Sequence, residues 1–323
     1  MRLIKLLAPM LAGMLLAGSA FAQYPSKPVT LVAPFGAGGD SDLSARNLAH
    51  AAQKHLGQSV VVINRPGASG IVGSQAVRTA APDGYTLLLA RVGSQAITPA
   101  LDSKSPYKWN EFTFLSILEL NPYVCVVHAE APYKTMGELL EAIRAQPGKL
   151  AYASAGNTTL QHMGPQLLFG LVGLKTDAAL HVPYKGSGET TAALLGRQVD
   201  FQCNNLTTLA PQIKAGTFRA LMTTTPSRLE DLPGVPTSRE LGWPDMEQIT
   251  GWSALFGPQD LAREAQERWA QVLQKLSGDA DWLAGNARIG GIPAIMTPAD
   301  TERYVRGQYE LYDRLGTKLG LKQ

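Results

Sequence analysis

The chain carries one local pattern twice, and that doubling restricts the folds open to it. Val29-Thr30-Leu31-Val32-Ala33 is a short apolar run that passes straight into Pro34-Phe35-Gly36-Ala37-Gly38-Gly39-Asp40-Ser41-Asp42. A helical period follows, with Leu43, Leu48, Ala52 and Leu56 on one face. In the second half, Leu150-Ala151-Tyr152-Ala153 leads into Ser154-Ala155-Gly156-Asn157-Thr158-Thr159, and another apolar helical stretch opens near Leu160. Both read as strand, small-residue turn, helix. Such a turn presents backbone N–H groups at a helix N-terminus, where unpaired donors and the helix dipole favour an anion. Two of them, one per half, point to a small anionic ligand held between two lobes.

The first 22 residues read as an export signal. Arg2 and Lys5 form a basic start, Leu6 to Ala17 is an apolar stretch too short to span a bilayer, and Ala20-Phe21-Ala22 is a small-residue cleavage site. The first cysteine is Cys125, far from that site, which argues against a lipid anchor. Cleavage would leave 301 of the 323 residues, enough for two cores, and would lower the formal charge from +3 to +1. A near-neutral chain with no Lys/Arg cluster is not built for nucleic acid. Cys125 and Cys203 both lie in apolar, strand-like runs; in an oxidising compartment they could pair, but two cysteines make no framework and free buried thiols are the favoured reading. Five scattered histidines and two cysteines lack zinc-ligand spacing, so no metal and no cofactor are expected.

Strand and helix signals alternate along the rest. Val60–Ile63 and Thr86–Ala90 are apolar strands around a small-residue helix from Gly70 to Ala80. Tyr123–Val127 is a strand, and Thr135-Met136-Gly137-Glu138 is a capping box that starts a helix to about Ala145. Strands at Leu180–Val182, Val199–Gln202 and Phe218–Met222 follow, and the C-terminal stretch is mainly helical from Ala262. Continuous apolar strands alternating with helices predict an α/β fold with a mainly parallel sheet and flanking helices in each of two lobes. The expected division is 23–121 with 254–323 for lobe 1 and 122–253 for lobe 2, with crossings near Asn121–Tyr123 and Trp252–Leu255. The ligand cleft then lies at the strand C-termini.

Seven short motifs resemble the extracytoplasmic solute receptors of the tripartite tricarboxylate transporter family, also called Bordetella uptake gene proteins. They are Tyr24-Pro25-Ser26-Lys27-Pro28, Pro34-Phe35-x-x-Gly38-Gly39-x-x-Asp42, Asn64-Arg65-Pro66-Gly67-Ala68 and Ala81-Pro82-Asp83-Gly84-Tyr85-Thr86. Tyr152-Ala153-Ser154-x-Gly156, His181-Val182-Pro183-Tyr184-Lys185-Gly186 and Leu232-Pro233-Gly234-Val235-Pro236-Thr237 complete the set. They occur in order over nearly the whole mature length. The resemblance implies a type II periplasmic-binding-protein (venus-flytrap) fold, no catalysis, and a carboxylate handed to a two-component membrane transporter. By position it places Phe35, Gly38, Gly39, Ser41 and Asp42 in the first ligand turn, and Ser154, Gly156, Asn157, Thr158 and His162 in the second.

Two departures bear on the ligand. Asp40 stands where many relatives carry a serine or threonine, and an acid there competes with a ligand carboxylate for the same donors. Asn204 stands where relatives often have an aspartate able to pair with an ammonium, which favours plain carboxylic acids over amino acids. Arg91 and Ser94, after a strand of lobe 1, should rim the cleft, and a guanidinium grips carboxylates in bidentate fashion. Tyr184 and Lys185 form a third polar turn, and Lys185 is either a cleft cation or a solvated loop lysine. Trp252 and Phe35 are candidates to stack on the ligand. The reading is thus a periplasmic, monomeric receptor for a small organic carboxylate. The alternatives are an exported hydrolase using Ser154, for which the Gly-x-Ser-x-Gly elbow is missing, and an accessory protein presenting ligand to a sensor.

Overall fold

The computed structural model describes residues 24–322, so the export-signal reading of 1–22 lies outside the described residues. The chain builds two mixed sheets. Along the first half run β1 (Val29–Ala33), α1 (Asp40–Leu56), β2 (Val60–Asn64), α2 (Ile71–Arg78), β3 (Thr86–Arg91), α3 (Thr98–Leu101) and β4 (Thr113–Asn121). The second sheet is made by β5 (Tyr123–His128), β6 (Ala151–Ser154), β7 (Leu180–Pro183), β8 (Phe201–Asn205) and β9 (Phe218–Thr223). Its helices are α4 (Met136–Ala145), α5 (Leu160–Leu171), α6 (Ser187–Leu195) and α7 (Leu206–Lys214). The chain then returns through β10 (Gly251–Gly257), α8 (Arg263–Leu276), α9 (Ala280–Arg288), β11 (Ile292–Pro293) and α10 (Pro298–Leu319).

The first sheet has the order β11-β4-β10-β3-β1-β2 and the second β7-β6-β8-β5-β9. β2-β1-β3 and β7-β6-β8 are parallel, as βαβ crossovers require. β10 lies antiparallel between β3 and β4, and β5 lies antiparallel between β8 and β9. These two strands follow the passages between sheets, which explains their reversed sense. The chain enters the second sheet across Pro122 and is back in the first by Gly251, so Trp252 and Ser253 pair with β4 and β3.

Local chemistry sets the helix ends near the cleft. α1 starts directly after Gly39 with no side-chain cap, carries Asp40 and Asp42 in its first turn, and stops at left-handed Gly57. α4 has the expected box at its start: Thr135 Oγ1 accepts from Glu138 N, and Glu138 accepts in turn from Lys134 N. α5 has no acid in its first turn. One apolar cluster runs through both lobes. It includes Tyr123, Trp252 and Tyr312, all fully buried.

The free-thiol expectation is corrected. Cys125 and Cys203 are direct neighbours in the antiparallel β5–β8 register and form a disulfide. Two cysteines 78 residues apart give no sign of this until strand pairing places them opposite each other.

Candidate functional site

The turns at the ends of β1, β2, β6 and β7 converge between the sheets. Phe35, the Gly67-Ala68-Ser69-Gly70-Ile71 turn, the Ala155-Gly156-Asn157-Thr158 turn, Asp102, Tyr184 and Lys185 enclose an open cleft of about 360 Å³. Behind Phe35 lies a second compartment of about 30 Å³. It is lined by Asp40, Ser41, Arg91, Val92 and Gly93 from one lobe, and by Ala155, Thr159, Leu160, Gln161, Ser187 and Asn205 from the other.

The lobes touch around this compartment. Gly36 N donates to Lys185 O at 3.2 Å, and Thr98 and Thr158 share a hydroxyl hydrogen bond of 2.6 Å. Asp40 Oδ2 accepts from Ser187 Oγ at 3.1 Å and from Asn205 Nδ2 at 2.8 Å. Four glycines allow the backbones to approach. A Cβ on Gly39 would lie 3.1 Å from Ser187 N, and one on Gly186 would lie 2.9 Å from Gly36 N. Gly36 and Gly188 face the same seam.

Arg91 is fully enclosed and lies at the centre of a charged network. Its Nη2 is 3.6 Å from Asp40 Oδ2, and its Nη1 donates to Asn121 Oδ1 at 3.1 Å and to Ser253 Oγ. Ser253 Oγ, Asn121 Nδ2 and Ser44 Oγ all donate to Glu119 Oε1. Burial pulls the Arg91 guanidinium below its ordinary value, while Asp40 and then Glu119 act to raise it. One buried guanidinium therefore faces two buried carboxylates.

Of the fifteen residues expected at the site, Phe35, Gly156, Asn157, Thr158, Tyr184 and Lys185 line the outer cleft. Phe35, Ser41 and Arg91 line the inner compartment. Gly38, Gly39, Asp42, Ser94, Ser154, His162 and Asn204 line neither. Each of the polar ones has another task. Asp42 accepts from Gly38 N and Arg46 Nε, both at 3.0 Å; burial would raise its carboxyl, but these bonds hold it below the usual range. Ser94 donates to Arg91 O, and Asn204 accepts from Gln161 Nε2 and donates to Thr208 Oγ1. Ser154 Oγ accepts from Gly156 N and is bonded to His181 Nε2, while His162 Nδ1 meets Tyr152 OH at 2.8 Å. Trp252 is packed against Phe256 and Tyr304, away from the cleft.

Sequence reasoning passed over the 67–71 turn, although it too is strand, small residues, helix. Ala68 and Ser69 both hold positive φ there, 45° and 52°. Gln161, Ser187, Asn205 and Glu119 had no local signal, since their partners are distant in sequence.

His162 and His181 pack against each other behind the second turn, ring centroids 4.2 Å apart and planes tilted by 36°. Burial brings His162 down to about 3, with His181 adding to the effect, and burial alone brings His181 down to about 4. Both rings are neutral near pH 7. Among the described residues, no carboxylate is bonded to either ring; His181 meets Ser154 and His162 meets Tyr152.

Two mixed α/β sheets joined by two passages, with a polar cleft between them, define a two-lobed solute-binding protein. The chain belongs to the family described as tripartite tricarboxylate transporter family receptor, whose model matches residues 44–310. Three solved structures are similar along nearly their whole length. The periplasmic binding protein BugD is 29% identical with a TM-score of 0.87, covering 93% of this chain and 99% of its own. MatC of Rhodopseudomonas palustris with bound malate is 27% identical with a TM-score of 0.84, covering 90% and 99%. A protein of R. palustris with adipate is 28% identical with a TM-score of 0.86, covering 92% and 98%. Among the described residues, no helix is long and apolar enough to cross a membrane.

Proposed function

We propose that the protein is an exported, periplasmic receptor that captures a small organic carboxylate between its lobes and delivers it to a two-component membrane transporter of the tripartite type. It acts as a monomer and without a chemical step. The lobes are the residues around the two sheets, joined at Pro122 and just before Gly251.

The observation that carries this reading is the outer cleft. Its walls are mostly small-residue turns from both lobes, and its polar groups are Ser69, Asn157, Thr158, Tyr184, the exposed Lys185 and one acid, Asp102. The helix start beside it, at α5, has no acid in its first turn, so its positive end is free to face a carboxylate. At α1 that role is already taken by Asp40 and Asp42. The carboxylate is therefore assigned to the second turn, with Phe35 covering the apolar part of the ligand. Malate and adipate in two similar structures support the ligand class.

In this reading, contacts between the lobes such as Gly36–Lys185 and Thr98–Thr158 hold the closed form on the ligand. Thermal unfolding from residue 23 onward, against a panel of organic acids, tests the reading. An acid at ~100 times its Kd adds about 2.7 kcal/mol and raises the midpoint. A flat response from ligand-free protein to the whole panel would remove the carboxylate assignment. Co-purification with the membrane components of a tripartite transporter tests the transporter partner.

A further inference from the structure

We infer that the inner compartment holds the cationic group of a zwitterionic ligand, an amino carboxylate, with Asp40 as its counter-charge. The inference rests on the carboxylate reading of the outer cleft and adds to it the second charge of the ligand.

Three observations carry it. Asp40 is only 4% exposed and Ser41 2%, and Asp40 Oδ1 and Ser41 Oγ have no hydrogen-bond partner, although both residues line the compartment. A buried carboxylate oxygen without a donor is costly unless something donates to it. The compartment's volume of about 30 Å³ suits a group the size of water or ammonium.

Charge decides between those two. Asp40 and Glu119 are buried around one guanidinium, Arg91, so the network lacks one positive charge. A ligand carboxylate placed here would meet Asp40 at close range in a dry site, where like charges repel strongly. An ammonium would complete the balance and donate to both orphan oxygens. The first turn has little left to offer an anion, because the Gly38 N–H is already bonded to Asp42 Oδ2. Asn204, which could have argued for a plain acid, is fully engaged with Gln161 and Thr208 and does not line the compartment.

The position of Asp40 makes it a sensor of closure as well as of charge. Its other oxygen already binds Ser187 and Asn205 of the opposite lobe. A cation at Oδ1 would tie the ligand to the same side chain that bridges the lobes.

The test uses matched probes that differ only in the amino group: L-aspartate against succinate, L-glutamate against glutarate, and 2-aminoadipate against adipate. Isothermal titration with the mature protein should show at least one amino acid binding tenfold or more tighter than its deaminated partner. Asp40→Asn keeps an acceptor for Ser187 and Asn205 while removing the charge, and it should abolish that preference. Tighter or equal binding of the plain acids by the wild type would overturn the inference and leave the carboxylate reading standing. An amino-acid preference that survives in Asp40→Asn would also overturn it. No response to any probe would remove both readings. The wild-type comparison is independent of whether the variant folds.

Discussion

Replacing Gly188 by alanine should weaken ligand binding without weakening the unliganded protein, because its two consequences fall on different states. Gly188 is the second residue of α6 and its backbone is in an ordinary conformation. Within its own lobe, alanine is the better helix former, by up to ~1 kcal/mol in a helix interior and less in a first turn. Across the cleft, its Cβ would stand 2.9 Å from Ala37 O and 3.2 Å from Gly38 C. Those are backbone atoms of a turn already bonded through Gly36 to Lys185, so they cannot swing aside as a side-chain end would. Overpacking of this kind costs ~1–3 kcal/mol, and here the cost arises only when the lobes close. Tenfold in affinity is about 1.4 kcal/mol, so Kd should rise roughly 5- to 150-fold. Titration calorimetry with an acid found by the thermal screen reads the affinity, and unfolding without ligand reads the reference state. Gly234→Ala, where an added Cβ meets nothing within 4 Å, is the control. Unchanged affinity, or a clear loss of unliganded stability, would refute the argument that this seam forms on closure.

Breaking the Cys125–Cys203 disulfide by reduction should lower the stability of the second lobe by ~2–4 kcal/mol, since it closes a loop with a sequence separation of 78; denaturant titration with and without reductant measures this. Gly307 is exposed inside α10 with nothing within 4 Å of an added Cβ, so Gly307→Ala should raise stability by ~0.5–1 kcal/mol in the same assay. Stability should also fall on acidification through the paired histidines His162 and His181. Their folded values, about 3 for His162 and about 4 for His181, lie below the unfolded value, so the unfolded chain binds more protons below pH ~6.5. Their contribution is complete above that pH and is lost as the pH falls toward 4 and 3. Between pH 6.5 and 5.5 the loss should be on the order of 1 kcal/mol for the pair, after discounting partial exposure. The double change His162→Gln, His181→Gln should flatten that slope in urea midpoints taken across the range.

What could be read from the chain was local. Strand, turn and helix in 29–56 and 150–171 are each contiguous, and their apolar periods and glycines are visible in one window. The partner of Ser154 was not visible in this way. His162 is eight residues away along the chain, but β6 pairs with β7 so that Tyr152 faces His181, and side chains two apart on a strand share a face. Ser154 and His181 therefore meet through register, 27 positions apart. The disulfide is hidden by the same rule, since nothing in either cysteine's neighbourhood fixes the β5–β8 register. Thr113–Asn121 was passed over as a strand altogether; it became central because β10 returns beside it. With it came Glu119, the acid that leaves Arg91 outnumbered.

Glycine spacing and charge placement are two parts of one design at this cleft. Asp40 reaches Ser187 and Asn205 where Gly39, Gly186 and Gly188 let two backbones come into contact. A Cβ at Gly39, Gly186 or Gly188 would stand 3.1, 2.9 or 2.9 Å from the facing backbone and push the lobes apart by a few tenths of an ångström, which is enough to weaken hydrogen bonds of 2.8–3.1 Å. Affinity at the inner compartment and fit at the seam are therefore coupled. Gly188→Ala should reduce the discrimination between an amino acid and its deaminated partner as well as the affinity for both, because the carboxylate that discriminates is held by the contact the alanine disturbs. A variant that lost affinity equally for both members of a pair, with the preference intact, would show that Asp40 reads charge before the lobes meet.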